Sequence, residues 1–168
     1  MWSSTVEPAT GPILLAIEAV PQSQALVAAA AKLARQSHAE VLVLSVRERD
    51  FVRGYGWDVR QPGEIAETVS RAIYDLERAG VRARGLIRTA RSGRVGEEIV
   101  YAAHKHHADE IIIGTSRRPW LVALLRGSVA PQVLRRSDLA VVAVPTKWLA
   151  SAKAQRVTNQ RLIAEPKR

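Results

Sequence analysis

Residues 108–129 read Ala108-Asp109-Glu110-Ile111-Ile112-Ile113-Gly114-Thr115-Ser116-Arg117-Arg118-Pro119-Trp120-Leu121-Val122-Ala123-Leu124-Leu125-Arg126-Gly127-Ser128-Val129. A short, wholly apolar run, Ile111–Ile113, is what a strand buried on both faces requires. The segment that follows opens on Gly114 and closes on Gly127-Ser128. Ser128 is a favourable N-cap for a helix running to Arg136, and Pro131 falls in the first turn, where its missing donor costs nothing. The amides of Ser128, Val129 and Ala130 would point into one concavity at the positive end of the helix dipole, with Arg117, Arg118 and Arg126 around it. A phosphate cradle and an ordinary capped helix both satisfy this pattern.

The same alternation extends outward from this stretch. Ile13–Ile17 is a continuous apolar run. Pro21–Arg35 carries Leu26, Ala29, Ala30 and Leu33 at helical spacing, and Val41–Val46 is a second buried strand. Residues 47–63 hold Gly54, Gly56, Pro62 and Gly63 among polar residues and predict a long loop, with Tyr55 and Trp57 folding onto the domain or lidding a base. Glu64–Ala79 presents Ile65, Val69, Ile73 and Leu76 on one helical face and stops at Gly80. Val81–Thr89 reads as a third strand near an edge. Val95–His107 is a helix with Ile99 and Ala103 inward, and Leu139–Val144 is a fifth strand. Strands alternating with helices define an α/β domain, a doubly wound parallel sheet with helices on both faces and right-handed crossovers. Ser37-His38-Ala39-Glu40 and His106-His107-Ala108-Asp109 repeat the same helix-to-strand turn.

The chain has 168 residues, enough for one core without disulfide or metal staples. It contains no cysteine, which excludes disulfides, thiolate metal sites and a catalytic thiol and fits a reducing, cytoplasmic setting. No apolar run is long enough to span a membrane. Lys and Arg number 25 against 16 Asp and Glu, a net charge of +9, and 20 of the 25 are Arg. More than half of the excess lies in residues 146–168, with six basic side chains and one acidic. The expected organisation is therefore a loose leader over 1–11, a domain over 12–145 and a basic tail over 146–168. The tail is either a solubilising extension or a surface offering Lys153, Arg156 and Arg161 to an acidic partner, a membrane surface or nucleic acid.

Residues 114–128 resemble the signature of the universal stress protein family: Gly, two residues, Gly, nine residues, Gly-Ser/Thr. Gly114 and Gly127-Ser128 match it in spacing, and Arg117 stands where the family has its second glycine. The run Ala108–Gly114, the stretch Ser128–Pro145 and the first strand Ile13–Glu18 are similar to the family's elements too, so the resemblance covers residues 12–145. It implies a five-stranded sheet of order 3-2-1-4-5, often homodimeric through the last strand, here Leu139–Val144. It also implies an adenine-nucleotide site, for ATP or a relative with Mg possible alongside it. The site residues implied are Glu18 at the adenosine, the Val46 backbone at adenine, and Gly114, Ser116, Arg117, Gly127, Ser128 and Val129 around ribose and phosphates. Arg117 either fills the ribose–phosphate seat or swings out to pair with phosphate.

The function expected is a stress-response regulator that binds nucleotide without turnover and acts through partners. Two alternatives stand beside it. One is a nucleotide-free scaffold blocked by Arg117. The other is a slow ATP hydrolase or autophosphorylating protein using Ser116 or Ser128. No nucleophile elbow, Walker loop or dinucleotide fingerprint is present, and no catalytic residue or resident metal is assigned. His38, His104, His106 and His107 sit at helix ends, where imidazoles favour the dipole, and read as capping groups rather than ligands. Glu97-Glu98 and Asp109-Glu110 read as dipole and solvation residues.

Overall fold

A computed structural model describes residues 11–18, 23–52, 55–58, 62–115 and 129–145. The elements in chain order are β1 (Ile13–Ala16), α1 (Ser23–Ser37), β2 (Val41–Val52), β3 (Tyr55–Asp58), α2 (Pro62–Arg78), β4 (Ala83–Arg91), α3 (Val95–Lys105), β5 (Glu110–Thr115), α4 (Val129–Arg136) and β6 (Ala140–Pro145). The parallel strands pair β4–β2–β1–β5–β6, which is 3-2-1-4-5 when they are counted in order, as expected. From β1 the chain builds outward through β2 to β4, then crosses to β5 and β6 on the other side. The topological reversal therefore falls between β1 and β5.

Continuous apolar runs follow from burial on both faces. In β1, β2 and β5 alternate residues enter two separate cores. Ile13, Leu15, Val41, Val43 and Ile112 pack with α1 and α2 through Leu26, Ala30, Val69 and Leu76. Leu14, Leu42, Leu44, Ile111 and Ile113 pack with α3 and α4 through Ile99, Ala103, Ala130 and Val133. Burying each such Leu or Ile contributes about 1.5–3 kcal/mol, so the central strands dominate the driving force.

Local chemistry sets the element ends. Gly80 closes α2 with φ +76°, a left-handed stop that costs glycine nothing. The repeated helix-to-strand turn has a physical basis: His38 and His107 both adopt left-handed φ, 55° and 54°, and the amides of Ala39 and Ala108 bond back to Ala34 and Ala103 carbonyls. Ahead of β1, the Gly11 amide donates to Asp109 Oδ2 at 2.6 Å, joining the entry of β1 to that of β5.

One expectation is overturned. The stretch 47–63 is not a single loop, because β2 runs to Val52 and turns back through β3. Arg47 and Arg49 are held by β4, opposite Thr89 and Arg91, and Val52 meets Tyr55 across a two-residue connection. Strand pairing on both edges overrides the polar composition that suggested a loop. No described helix is long and apolar enough to cross a membrane.

Candidate functional site

Ligands in open α/β sheets bind beyond the carboxyl ends of the strands at the point of topological reversal, here the ends of β1 and β5. The registers fix what stands there. Ile13 pairs with Val41 and with Glu110. Continued two residues past Ala16, those registers set Glu18 in one row with Val46 on β2 and Thr115 on β5. Adjacent strands are about 4.8 Å apart, so Val46 and Thr115 flank Glu18 across about 10 Å. Gly114 lies one residue below this row, opposite Val144. Glu18 is exposed and Val46 half-buried.

The backbone of β2 is directional at this row. Val41 N–H donates to Arg82 and Arg49 C=O accepts from Ser92, so odd-numbered residues of β2 face β4. Leu44 C=O accepts from Ile17 N–H, so even-numbered residues face β1. The β2–β4 register runs without a bulge from Val41 to Arg49, which keeps the alternation in phase. The N–H and C=O of Val46 therefore point to the β1 side, beyond the last residue that β1 matches to β2, Leu44↔Ala16.

The neighbouring helix starts are packed closely. A Cβ on Gly96, in the first turn of α3, would collide with Gln132 Cβ and come within 2.9 Å of its Oε1 and 3.2 Å of the Val129 carbonyl. Gly96 thus sets how near α3 lies to the beginning of α4. Arg136 and Arg94 both reach Glu97, at 2.9 and 3.1 Å, which ties the far end of α4 to α3. Glu48 organises the turn after β4, accepting from Ser92 Oγ at 2.7 Å and from the Gly93 amide at 3.2 Å. Glu97 and Glu98, expected to be dipole and solvation residues, lie in the first turn of α3 and also form ion pairs: Glu98 holds Arg88 at 2.7 Å, and that bond raises the Arg88 pKa. His104 Nε2 sits 3.0 Å from Asp138 Oδ1. His106 is pushed below the usual imidazole pKa, first by desolvation and then by Arg84, Lys105, Arg88 and His107.

Of the eight residues expected at a nucleotide site, the structure brings Glu18, Val46 and Gly114 to one end of the sheet, and Val129 opens α4. Ser116, Arg117, Gly127 and Ser128 lie outside the described residues. Thr115, in line with Glu18, was not singled out from the sequence. Neither was β3, whose one sequence signal is Gly54 inside the two-residue link between Val52 and Tyr55.

The sheet order, with helices on both faces, defines a doubly wound α/β protein. The family model described as the Universal stress protein family matches residues 10–145, and the chain belongs to that family. Solved structures share the fold. A universal stress protein from Archaeoglobus fulgidus is 23% identical, with 79% of this chain and 97% of that one covered and a TM-score of 0.64. A universal stress protein in complex with cAMP is 19% identical, covering 82% and 98%, with a TM-score of 0.63. The A. fulgidus protein in complex with dAMP is 21% identical, covering 79% and 96%, with a TM-score of 0.58. No curated protein sequence matches the chain.

Proposed function

We propose that this chain is a regulatory protein that binds ATP or a related adenine nucleotide, without significant turnover, at the carboxyl ends of β1, β2 and β5. One observation carries the proposal: Glu18, Val46 and Thr115 share a row at the topological reversal, with the Val46 backbone groups turned toward the space above β1. A peptide N–H and C=O on one strand edge match the acceptor–donor edge of adenine, and Glu18 is assigned to accept from ribose hydroxyls. Gly114 leaves room for backbone approach. The amides at the start of α4, with Ser116, Arg117, Gly127 and Ser128, are assigned to the phosphates. Two family members of the same fold that hold cAMP and dAMP support the class of ligand.

Signalling is assigned to dimerisation and partner contact. β6 pairs only with β5 among the described residues, so its outer edge is a natural seam for a second copy. The basic residues of 146–168 are assigned to an acidic partner surface. Equilibrium dialysis with labelled ATP, ADP, AMP and cAMP, run on the parent and on Arg117→Gly, tests the proposal. Binding by the parent is expected. No binding by the parent, with binding gained in Arg117→Gly, identifies a blocked scaffold instead and refutes the proposal. ATP loss over time that is abolished by Ser128→Ala would refute the absence of turnover.

A further inference from the structure

Among the described residues β4 pairs with β2 alone, so it carries one edge of the sheet. Two bonds fix its direction. Val41 N–H donates to the Arg82 carbonyl and Ser92 N–H to the Arg49 carbonyl, with an unbroken register between them. Even-numbered residues of β4 therefore bond to β2, and the N–H and C=O of Gly85, Ile87 and Thr89 point away from the sheet. All three residues are exposed, Ile87 at 46%.

The two faces beside this edge differ in chemistry. Odd-numbered side chains lie on the α2 side, since a Cβ on Gly85 would meet Val69 Cγ1 and Ile73 Cδ1. Gly85 and the exposed Ile87 make that face small and apolar. Even-numbered side chains lie on the α3 side. There Arg88 reaches Glu98 at 2.7 Å and stands 5.7 Å from the ring of Tyr101, itself 52% exposed, and Lys105 Nζ stands 5.8 Å from the same ring. Arg84 meets Glu40 at 3.1 Å with its side chain still 49% exposed. The positive field outlasts these two ion pairs: after desolvation, Arg84, Lys105, Arg88 and His107 hold the His106 pKa down.

We propose that the edge of β4 docks an extended segment of a partner protein by strand addition, and that this segment alternates acidic and apolar residues. The outward backbone groups of Gly85, Ile87 and Thr89 supply the ladder. Side chains of an added strand fall alternately on the two faces. Those on the α3 side meet Arg84, Arg88 and Lys105 and are complementary when they are carboxylates. Those on the α2 side meet Gly85 and Ile87 and suit Val or Ile. A second copy of this edge is a poor occupant, because Ala83–Arg91 holds three Arg and no acidic residue and would set like charges together. The proposal stands apart from the nucleotide reading.

The test uses the full chain and a fluorescein-labelled heptapeptide in which Glu and Val alternate, with Glu at both ends. Ile87→Pro deletes an outward donor and no bond to β2, and Arg84→Glu reverses the charge of one flank. Peptide affinity by fluorescence anisotropy is expected to fall about tenfold or more in each variant, with the thermal transition retained, and to be about tenfold weaker for a Lys–Val heptapeptide on the parent. In the parent, the Glu–Val peptide is expected to slow hydrogen exchange about tenfold at the Ile87 and Thr89 amides and to leave Leu86 and Arg88, already bonded to β2, unchanged. It is also expected to raise the His106 pKa, read by NMR titration. No binding at about 1 mM peptide, or folded variants that bind within about twofold of the parent, would overturn the proposal. Equal binding of a heptapeptide with the same residues in two blocks, or tighter binding of a single-stranded oligonucleotide, would overturn it as well by marking the cations as a general anion surface. Ile87 and Thr89 amides that exchange slowly before peptide is added would show an edge already covered, and would overturn it even where the variants fail to fold. None of these outcomes touches AMP binding, whose proposed seat lies on β1, β2 and β5.

Discussion

Proline substitution at two adjacent positions of β2 separates its two edges. At Val46 the lost amide faces the β1 side, so no bond to β4 is broken. The residue before it is already extended, as proline requires, and the ring replaces a half-buried Val packed against the α3 face. The expected loss of stability is about 1 kcal/mol. At Arg47 the lost amide faces β4. Steps of two residues from the Val41-to-Arg82 bond give Arg47 N–H to the Arg88 carbonyl, which proline would strand inside a sheet. A buried acceptor left unmet costs about 1–3 kcal/mol, and the ring also presses on the neighbouring strand, for about 3 kcal/mol in all. With about 2–4 °C per kcal/mol for a domain of this size, Val46→Pro should lower the thermal midpoint by about 3 °C and Arg47→Pro by about 9 °C. Arg47→Ala subtracts the side-chain bond to Thr89 Oγ1. Nucleotide affinity should move the other way. Val46→Pro removes the amide proposed to bond adenine and should weaken AMP about tenfold or more, while folded Arg47→Pro retains most of its affinity. Scanning calorimetry and dialysis on the same preparations read both. Equal destabilisation by the two prolines, or a greater loss at Val46, would show that the edges had been assigned wrongly.

Gly96→Ala should destabilise by about 1–3 kcal/mol in urea unfolding despite alanine's better helix propensity, because its Cβ meets Gln132. The double variant with Gln132→Gly should recover part of that loss in a double-mutant cycle, and additive losses would refute the contact. His106 is depressed in the folded state, so the unfolded chain binds the extra proton first. The stability it permits is complete above the ordinary imidazole pKa of about 6.5 and declines as pH falls below it. His106→Gln should flatten the urea midpoint between about pH 7 and pH 5 relative to the parent, and an unchanged slope would refute the assignment. Leu76→Ala, at a fully buried position on the inner face of α2, should cost about 2–5 kcal/mol by the same assay, with a value under 1 kcal/mol counting against the core described.

What was legible in the sequence follows from how strongly each feature is specified locally. Ile13–Ala16, Val41–Leu44 and Ile111–Ile113 could be read because burial on both faces leaves no polar position to blur the run. The helices could be read because each lays one stripe on the sheet, as Ile65, Val69 and Leu76 do in α2. Gly80 and the paired histidine turns could be read because a left-handed residue is needed where a helix hands over to a strand. The Glu18–Val46–Gly114 grouping came from family resemblance. No local pattern encodes it, since it exists only once the registers set three strands side by side. The hairpin escaped for a related reason. The run Arg47-Glu48-Arg49-Asp50 has loop composition, and its strand character comes from β4 on one edge and β3 on the other, partners that begin 34 and six residues away from Arg49. Residues 46–50 are half-buried where 41–45 are buried, so this part of β2 no longer needs apolar side chains. The composition of β2 therefore changes character just past the end of β1, at the row where a ligand is proposed to sit. The shift from Leu44-Ser45-Val46 to Arg47-Glu48-Arg49 marks the rim of the site as much as it hides the strand.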